Sequence, residues 1–414
     1  MNSPVKPNAT HSLMLYFQVH QPRRLRSFQF FDIGSGAEYF DDELNEQILS
    51  RITRECYIPT NKLLLNLIRK HPGLRITFSI SGTTIEQFEQ FAPEVLLSFR
   101  DLAETGAVEF LAETYYHSLS CLFPGIEFEL QAMRHVQKLK EHFKIEPQVF
   151  RNTELIYNND IGTRVCALGF KGIITDGIER ILFNRTPHHL YSHPSEEDLK
   201  IFLRNYRLSD DIAFRFSSGE VTVEKYMSWL SQMPDDERLV NLALDYETFG
   251  EHKKSNTGIF KFLEELLVAI ANHPRYSMLT PSEGIELLNT HSQLFVPNYI
   301  SWADSERDLS AWLGNDMQRD AFDSVKKLEK NLEIINDSDL MHTWRHLQTS
   351  DHFYYMATKK EDDGGVHAYF SPYCSPYEAF INYMNVLSDF SLKIKNRLST
   401  SRRRRVRRSY QIIQ

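Results

Sequence analysis

Asn241-Leu242-Ala243-Leu244-Asp245-Tyr246-Glu247-Thr248-Phe249-Gly250-Glu251-His252 is the stretch on which the reading of the fold turns. An apolar run of the length of a buried strand stops abruptly in three acids and a histidine. Carboxylates are costly to desolvate, so several of them at the end of a core strand point to chemistry. The competing reading is a strand end whose polar groups face water and cap the next helix.

The same pattern recurs along the chain, which favours chemistry. Leu13 to Val19 is a second apolar run, and it ends in His20-Gln21-Pro22. Val108-Glu109-Phe110-Leu111-Ala112-Glu113 follows Gly106, and Gln148-Val149-Phe150-Arg151 leads into Asn152-Thr153-Glu154. Ile76 to Ile80 and Gly172 to Thr175 are two further strand-like pieces, and Ile212 to Phe216 is a weaker seventh. Short strands that end in functional groups are the signature of a parallel β/α barrel whose site is built at the C-terminal strand ends.

The intervening segments are long enough for crossover helices. Ile259, Phe262, Leu263, Leu266, Leu267 and Ile270 recur at helical steps behind Asn256-Thr257, which is expected to cap that helix. Leu96 to Glu104 ends near Gly106, a C-terminal cap signal, and Leu130, Met133, Val136, Leu139 and Phe143 form a stripe expected to face the core. Beyond about residue 295 strands give way to helical segments. This divides the chain into a barrel over 1–295, a helical region over 296–400 and a basic tail over 401–414.

Composition excludes little but is consistent. The chain has 414 residues, 42% hydrophobic and 25% charged, the profile of a globular protein. No apolar run reaches the length of a membrane span and the first ten residues lack an apolar signal core, so a cytoplasmic protein with no membrane partner is expected. Cys56, Cys121, Cys166 and Cys374 are scattered without paired metal-ligand spacing and read as reduced thiols. Six arginines between Arg402 and Arg408 form a block expected to be disordered; removing them takes the net charge from −8 to −14. With no basic face elsewhere to support it, nucleic acid is not the expected partner. The oligomeric state is not legible.

Taken in order, His20-Gln21-Pro22, Gly106-Ala107-Val108-Glu109, Phe150-Arg151-Asn152-Thr153-Glu154, Leu244 to His252 and Thr349-Ser350-Asp351-His352 resemble the five sequence regions of glycoside hydrolase family 57. The resemblance implies an incomplete seven-stranded parallel β/α barrel, TIM-barrel-like, followed by a C-terminal helical region, acting on α-linked glucans with retention of anomeric configuration. Position by position, Glu154 matches the nucleophile and Asp245 the general acid/base. His20, Glu109, Glu247 and Asp351 match residues lining the sugar subsite at the cleavage point, and Trp302 and Asp304 match a segment at the rim. The implied substrate is an α-glucan or maltooligosaccharide, and no cofactor or metal is called for.

The chemistry gives its own reason for these residue types. Retaining hydrolysis needs one carboxylate to attack the anomeric carbon and one protonated carboxyl to serve the leaving oxygen, about 5–6 Å apart. Sugar rings also bring an apolar face, for which Tyr115, Tyr116, Tyr246, Phe249, Trp302 and Tyr354 are candidate platforms. The compact length and the Asn152 to Tyr157 segment resemble the α-amylase-like members, which cleave α-1,4 bonds in starch-type glucans. A 4-α-glucanotransferase would use the same pair. Two other classes stay open: a metal-dependent carbohydrate deacetylase with His20, Asp245, His252 and Asp351 as ligands, and a glucan-binding protein without turnover.

Overall fold

The computed structural model describes Lys6, residues 9–359 and residues 371–412. Its centre is a ring of seven parallel strands. Strand β1 (His11–Val19) pairs with β2 (Ile76–Ile80) on one side and with β8 (Leu239–Asp245) on the other, Gln18 standing opposite Asp245. β2 pairs with β3 (Val108–Phe110), and just past β3 Ala112 bridges Phe150 of β4 (Val149–Arg151). The ring continues through β5 (Gly172–Asp176) and β7 (Lys200–Arg204), and closes where Arg204 meets Asn241 of β8. Two junctions are narrow, the Ala112–Phe150 bridge between β3 and β4 and the single register pair between β7 and β8.

Alternation along the strands separates two environments. Leu13, Leu15, Phe17 and Val19 of β1 face outward with Phe78, Leu242 and Leu244, against helix residues such as Leu263 and Leu267. Phe17 is fully buried, with ring centroids of Tyr246, Phe249 and Phe78 at 5.1, 5.6 and 5.7 Å. Truncating such a residue to alanine costs about 3–5 kcal/mol. Met14, Tyr16, Leu111, Val149, Ile174, Phe202 and Ala243 point the other way, into the barrel. Burial on both sides is why β1 reads as a continuous apolar run instead of an alternating one.

The base of the barrel is plugged. A short strand, β9 (Tyr276–Met278), pairs with the first residues of β1 and leads into a helix, Pro281–Leu287, opened by a capping box between Thr280 and Glu283. Gly284 of that helix lies so close to the barrel lining that a Cβ there would stand 2.2 Å from Met14 Cε.

Three expectations are corrected. Ile212 to Phe216 is no strand: Leu208 and Ile212 are the buried face of a helix, Tyr206–Ala213, capped by the Asn205 side chain, and residues 215–218 form a 3-10 turn. The strand is Lys200–Arg204, a run too short and too mixed to stand out. Helix Ile259–Asn272 begins behind Gly258 in the left-handed conformation, not on a side chain of Asn256 or Thr257. Helix Glu127–Phe143 buries Leu139 and Phe143 as expected but leaves Leu130 and Met133 about half exposed, because Phe128, Ala132 and His135 take the inward positions of its first turns. Two antiparallel or edge strands, β6 (Leu190–Ser192) and β10 (Thr290–Gln293), extend the sheet beside β7 and were not anticipated.

The chain divides into two compact units. The first comprises residues 1–21, 46–115 and 126–303 and holds the ring. The second comprises 22–45, 116–125 and 304–414, so the segments following His20-Gln21 and Tyr115 leave the barrel unit and return to it. Helices Asp316–Lys326, Glu329–Ile335, Ser338–His346, Ser350–Tyr354 and Pro376–Ile412 build the second unit. Residues 1–5, 7–8, 360–370 and 413–414 and the side chains of the arginine block lie outside the described residues. Among the described residues no helix is long and apolar enough to cross a membrane.

Candidate active site

Glu154 follows β4 on a turn in an unusual backbone conformation. Glu154 and Leu155 both lie in the left-handed region, with φ of 57° and 53°, a cost of about 1–2 kcal/mol per non-glycine residue. The neighbourhood holds the turn in place: Asn152 Nδ2 donates to Ile156 O at 2.9 Å, and Thr175 Oγ1 to Leu155 O at 2.9 Å. Strain maintained in this way is typical of functional positions. The Trp302 indole Nε1–H donates to Glu154 Oε2 at 2.7 Å, and the Trp302 amide donates to Glu154 O at 3.2 Å.

Two buried guanidiniums flank that indole, Arg151 at 5.3 Å and Arg204 at 5.4 Å from the ring. Arg204 is anchored by Asp210, Asp176 and the Ala243 carbonyl. Arg151 forms an ion pair with Glu113 at 3.7 Å, and its nitrogens have no hydrogen-bond partner among the described residues. Guanidinium over indole is a favourable arrangement, and here it places positive charge beside Glu154.

Glu113 is the carboxylate that sequence inspection passed over. It is fully buried, accepts from Ser79 Oγ at 2.5 Å and from Gln18 Nε2 at 3.4 Å, and its amide donates to His135 Nδ1 at 3.0 Å. His135 Nε2 faces the Ile80 carbonyl at 2.7 Å, which fixes the proton on Nε2 and leaves Nδ1 to accept. Burial holds that imidazole below its ordinary pKa. Ser79, at the exit of β2, and the position of Glu113 three residues past β3 were the available signals.

Glu109 is placed elsewhere. Its side chain accepts from the amide and hydroxyl of Ser282, at 2.9 and 2.7 Å, at the start of the plug helix. Burial raises its pKa against the opposing pull of those hydrogen bonds. The physical reason is register: Glu109 pairs with Thr77 inside the ladder, whereas Glu113 lies four residues further toward the mouth.

Asp245 ends β8 in register with Gln18, the residue that reaches Glu113. Gln18 Oε1 accepts from the buried Tyr16 hydroxyl at 2.6 Å while its Nε2 reaches Glu113, so one side chain links the end of β8 to the carboxylate past β3. Two residues beyond Asp245, Glu247 accepts from the Tyr57 hydroxyl and, at 3.5 Å, from Gln21 Nε2. Burial and, after it, the charge of Asp245 push the Glu247 carboxyl up to about 8. His20, beside Gln21, sits with Nδ1 2.7 Å from Ser81 Oγ at the cap of the helix after β2.

Asp351 belongs to the second unit, on Ser350–Tyr354, where its charge bears on the buried Tyr355 hydroxyl. Asp304 is in that unit too, paired with Lys359 at 2.8 Å. Among the aromatic candidates, Tyr246 and Phe249 are fully packed behind the barrel wall and Tyr115 lies over Gly82, donating to Glu86 at 2.7 Å; all three are core residues. Nor does the metal set form within the barrel unit: His20, Asp245 and His252 do not bring their ligand atoms within 4.8 Å of one another. Burial instead pushes His252 down to about 4.

A ring of parallel strands with acids at its C-terminal mouth is the architecture of a β/α-barrel enzyme. The family model for glycosyl hydrolase family 57 matches residues 14–297, and the chain belongs to that family. A Methanocaldococcus jannaschii protein named "Putative alpha-amylase" is 43% identical over 403 residues, covering 93% of this chain and 85% of its own. The structure of a Pyrococcus horikoshii GH57-type branching enzyme superposes with a TM-score of 0.68 at 14% identity, covering 92% of this chain and 88% of that one. That of a Thermococcus litoralis 4-alpha-glucanotransferase superposes at 0.63 with 14% identity; the match covers 83% of this chain and 56% of the transferase.

Proposed function

We propose that this chain is a retaining α-glucan hydrolase of the α-amylase type, cleaving α-1,4 bonds with Glu154 as nucleophile and Asp245 as general acid/base. The observation that carries the reading is the strained turn: two consecutive left-handed residues present Glu154 directly after β4, with the Trp302 indole on its carboxylate. In the first step a Glu154 oxygen attacks the anomeric carbon while Asp245 gives its proton to the departing glycosidic oxygen. In the second, Asp245 takes a proton from water, which displaces Glu154 from the sugar. Trp302 and the guanidiniums beside it favour the ionised form of Glu154 that attack requires.

Glu247 supports the same reading in a secondary role. With a pKa near 8 it is protonated at neutral pH, and one of its oxygens already accepts from Tyr57, so the other carries the proton. A neutral acid beside Asp245 offers a donor to a sugar hydroxyl without adding a second negative charge. Glu113, which touches Gln18, Ser79 and Arg151, is read as a positioning residue beneath the site.

The alpha-amylase name of the relative that shares 43% of its residues favours hydrolysis over transfer. We also place the enzyme in the cytoplasm, a reading supported by four free cysteines, one of them exposed. Product analysis on maltooligosaccharides tests the proposal. Only shorter sugars are expected; a ladder extending above the input would make the chain a transferase, and no change in any α-glucan would refute it.

A further inference from the structure

Within the second unit, helix Ser338–His346 carries His342 and His346 four residues apart, a spacing that puts both rings on one face. Their Nε2 atoms are 3.2 Å apart, with ring centroids 4.5 Å apart and planes at 81°. Two imidazole lone pairs cannot face each other at that distance: either one neutral ring donates an Nε2–H to the other, or a metal ion lies between two Nε2 lone pairs.

The surroundings suit a metal. Two zinc–nitrogen bonds of about 2.0–2.1 Å meeting near the tetrahedral angle put their nitrogens about 3.4 Å apart, close to the separation found. The remaining nitrogen of His342, Nδ1, lies 2.8 Å from the Tyr116 hydroxyl, the kind of outer contact that orients a metal-bound imidazole. Tyr116 is itself fixed, fully buried, with its carbonyl accepting from Thr349 Oγ1 at 2.9 Å. The Tyr116 and Phe40 rings pack on His346 at 4.9 and 5.3 Å. His346 is fully buried, which holds its ring in place.

We infer that His342 Nε2 and His346 Nε2 form a site for a divalent transition ion, zinc being the best fit, with the open coordination positions left to water or a carboxylate. Imidazole favours zinc, nickel and copper over calcium or magnesium, which prefer oxygen. Binding needs only a tautomer shift in the neutral pair. The ring that donated from Nε2 carries its proton on Nδ1 instead, so both Nε2 lone pairs turn to the ion and His342 Nδ1–H donates to Tyr116 Oη. The next turn begins the segment that carries Asp351, so an ion here would fix the helix immediately before it.

The inference does not depend on the reading of the barrel mouth, because binding can be measured without turnover. The full-length protein, stripped with chelator and dialysed, would be titrated with zinc by calorimetry and with cobalt by visible absorption. One equivalent should bind, cobalt should give a d–d band of low-symmetry character, and saturating zinc should raise Tm by a few degrees while calcium does not. His342→Gln should abolish the band and the Tm response yet keep the circular dichroism of the parent. His346→Gln should do the same, but His346 is buried and that variant can fail to fold, so His342→Gln decides. Nitrogen-15 shifts of the two rings should report Nδ1–H for both in the zinc form. Binding that survives His342→Gln, or a parent protein that shows no cobalt band at millimolar metal, would overturn the site and leave an N–H···N hydrogen bond between the two rings.

Discussion

Glu109 and Glu113 stand four residues apart at the same barrel strand and have opposite surroundings. At the base, Glu109 is held by the amide and hydroxyl of Ser282, groups that start a plug helix. Toward the mouth, Glu113 meets Ser79, Gln18 and the guanidinium of Arg151, which stacks on the tryptophan that touches Glu154. Both carboxylates are desolvated, and only the second is linked through side chains to the candidate nucleophile. What separates a structural acid from a functional one here is where its hydrogen bonds lead.

The largest expected contrast lies between the mouth and the base. Glu154→Gln should lower kcat on maltooligosaccharides by about 10⁴-fold or more, as for other catalytic nucleophiles, with the fold intact because Gln still accepts from Trp302. Glu109→Gln should leave kcat within about threefold and instead cost roughly 1–3 kcal/mol of stability through its bonds to Ser282. Steady-state kinetics with denaturant melts of both variants checks the pair; an inactive but stable Glu109→Gln protein would return Glu109 to the sugar site.

The next contrast is between the two mouth carboxylates. Asp245→Asn should lose about 10²–10⁴-fold on starch-type substrates, whose leaving group needs a proton, and far less on an aryl α-glycoside with an acidic phenol. Azide should then speed turnover and give an α-glycosyl azide. Equal loss on both substrates, with no azide response, would move the acid role to Glu247.

A smaller effect concerns pH. The Glu247 carboxyl titrates near 8 in the fold, against an ordinary 4.5. Its contribution to stability is therefore fully present below about 4.5 and is lost as pH rises through 8. Glu247→Gln, which mimics the protonated side chain, should melt less steeply with rising pH than the parent between those limits. Parallel Tm-versus-pH curves for the two proteins would contradict the shift.

Much of the barrel was legible because parallel strands buried on both faces are nearly unbroken apolar runs. Leu13 to Val19 and Leu239 to Leu244 show this most clearly. Lys200–Arg204 was hidden by its short length and charged ends, and the helical stripe of Leu208 and Ile212 took its place. At the site, Glu154, Asp245, Glu247 and Trp302 were named from sequence; Glu113 and Arg151 were not. Their role comes from partners distant in the chain, Ser79, Gln18 and Trp302, which no local pattern announces. The His342–His346 spacing was present in the sequence, but its meaning needs the 3.2 Å separation of the two nitrogens.

The central claim is that Glu154 attacks the sugar, and trapping the covalent intermediate tests it most directly. The parent enzyme would be incubated with a 5-fluoro-α-glucosyl fluoride, which forms a glycosyl-enzyme faster than water releases it, then digested and read by mass spectrometry. The account predicts one fluoroglucosyl group per chain, on the peptide containing Glu154 and on its carboxylate. A label on Asp245, Glu247 or Glu113, or steady turnover of the reagent with Glu154 replaced by Gln, would contradict it.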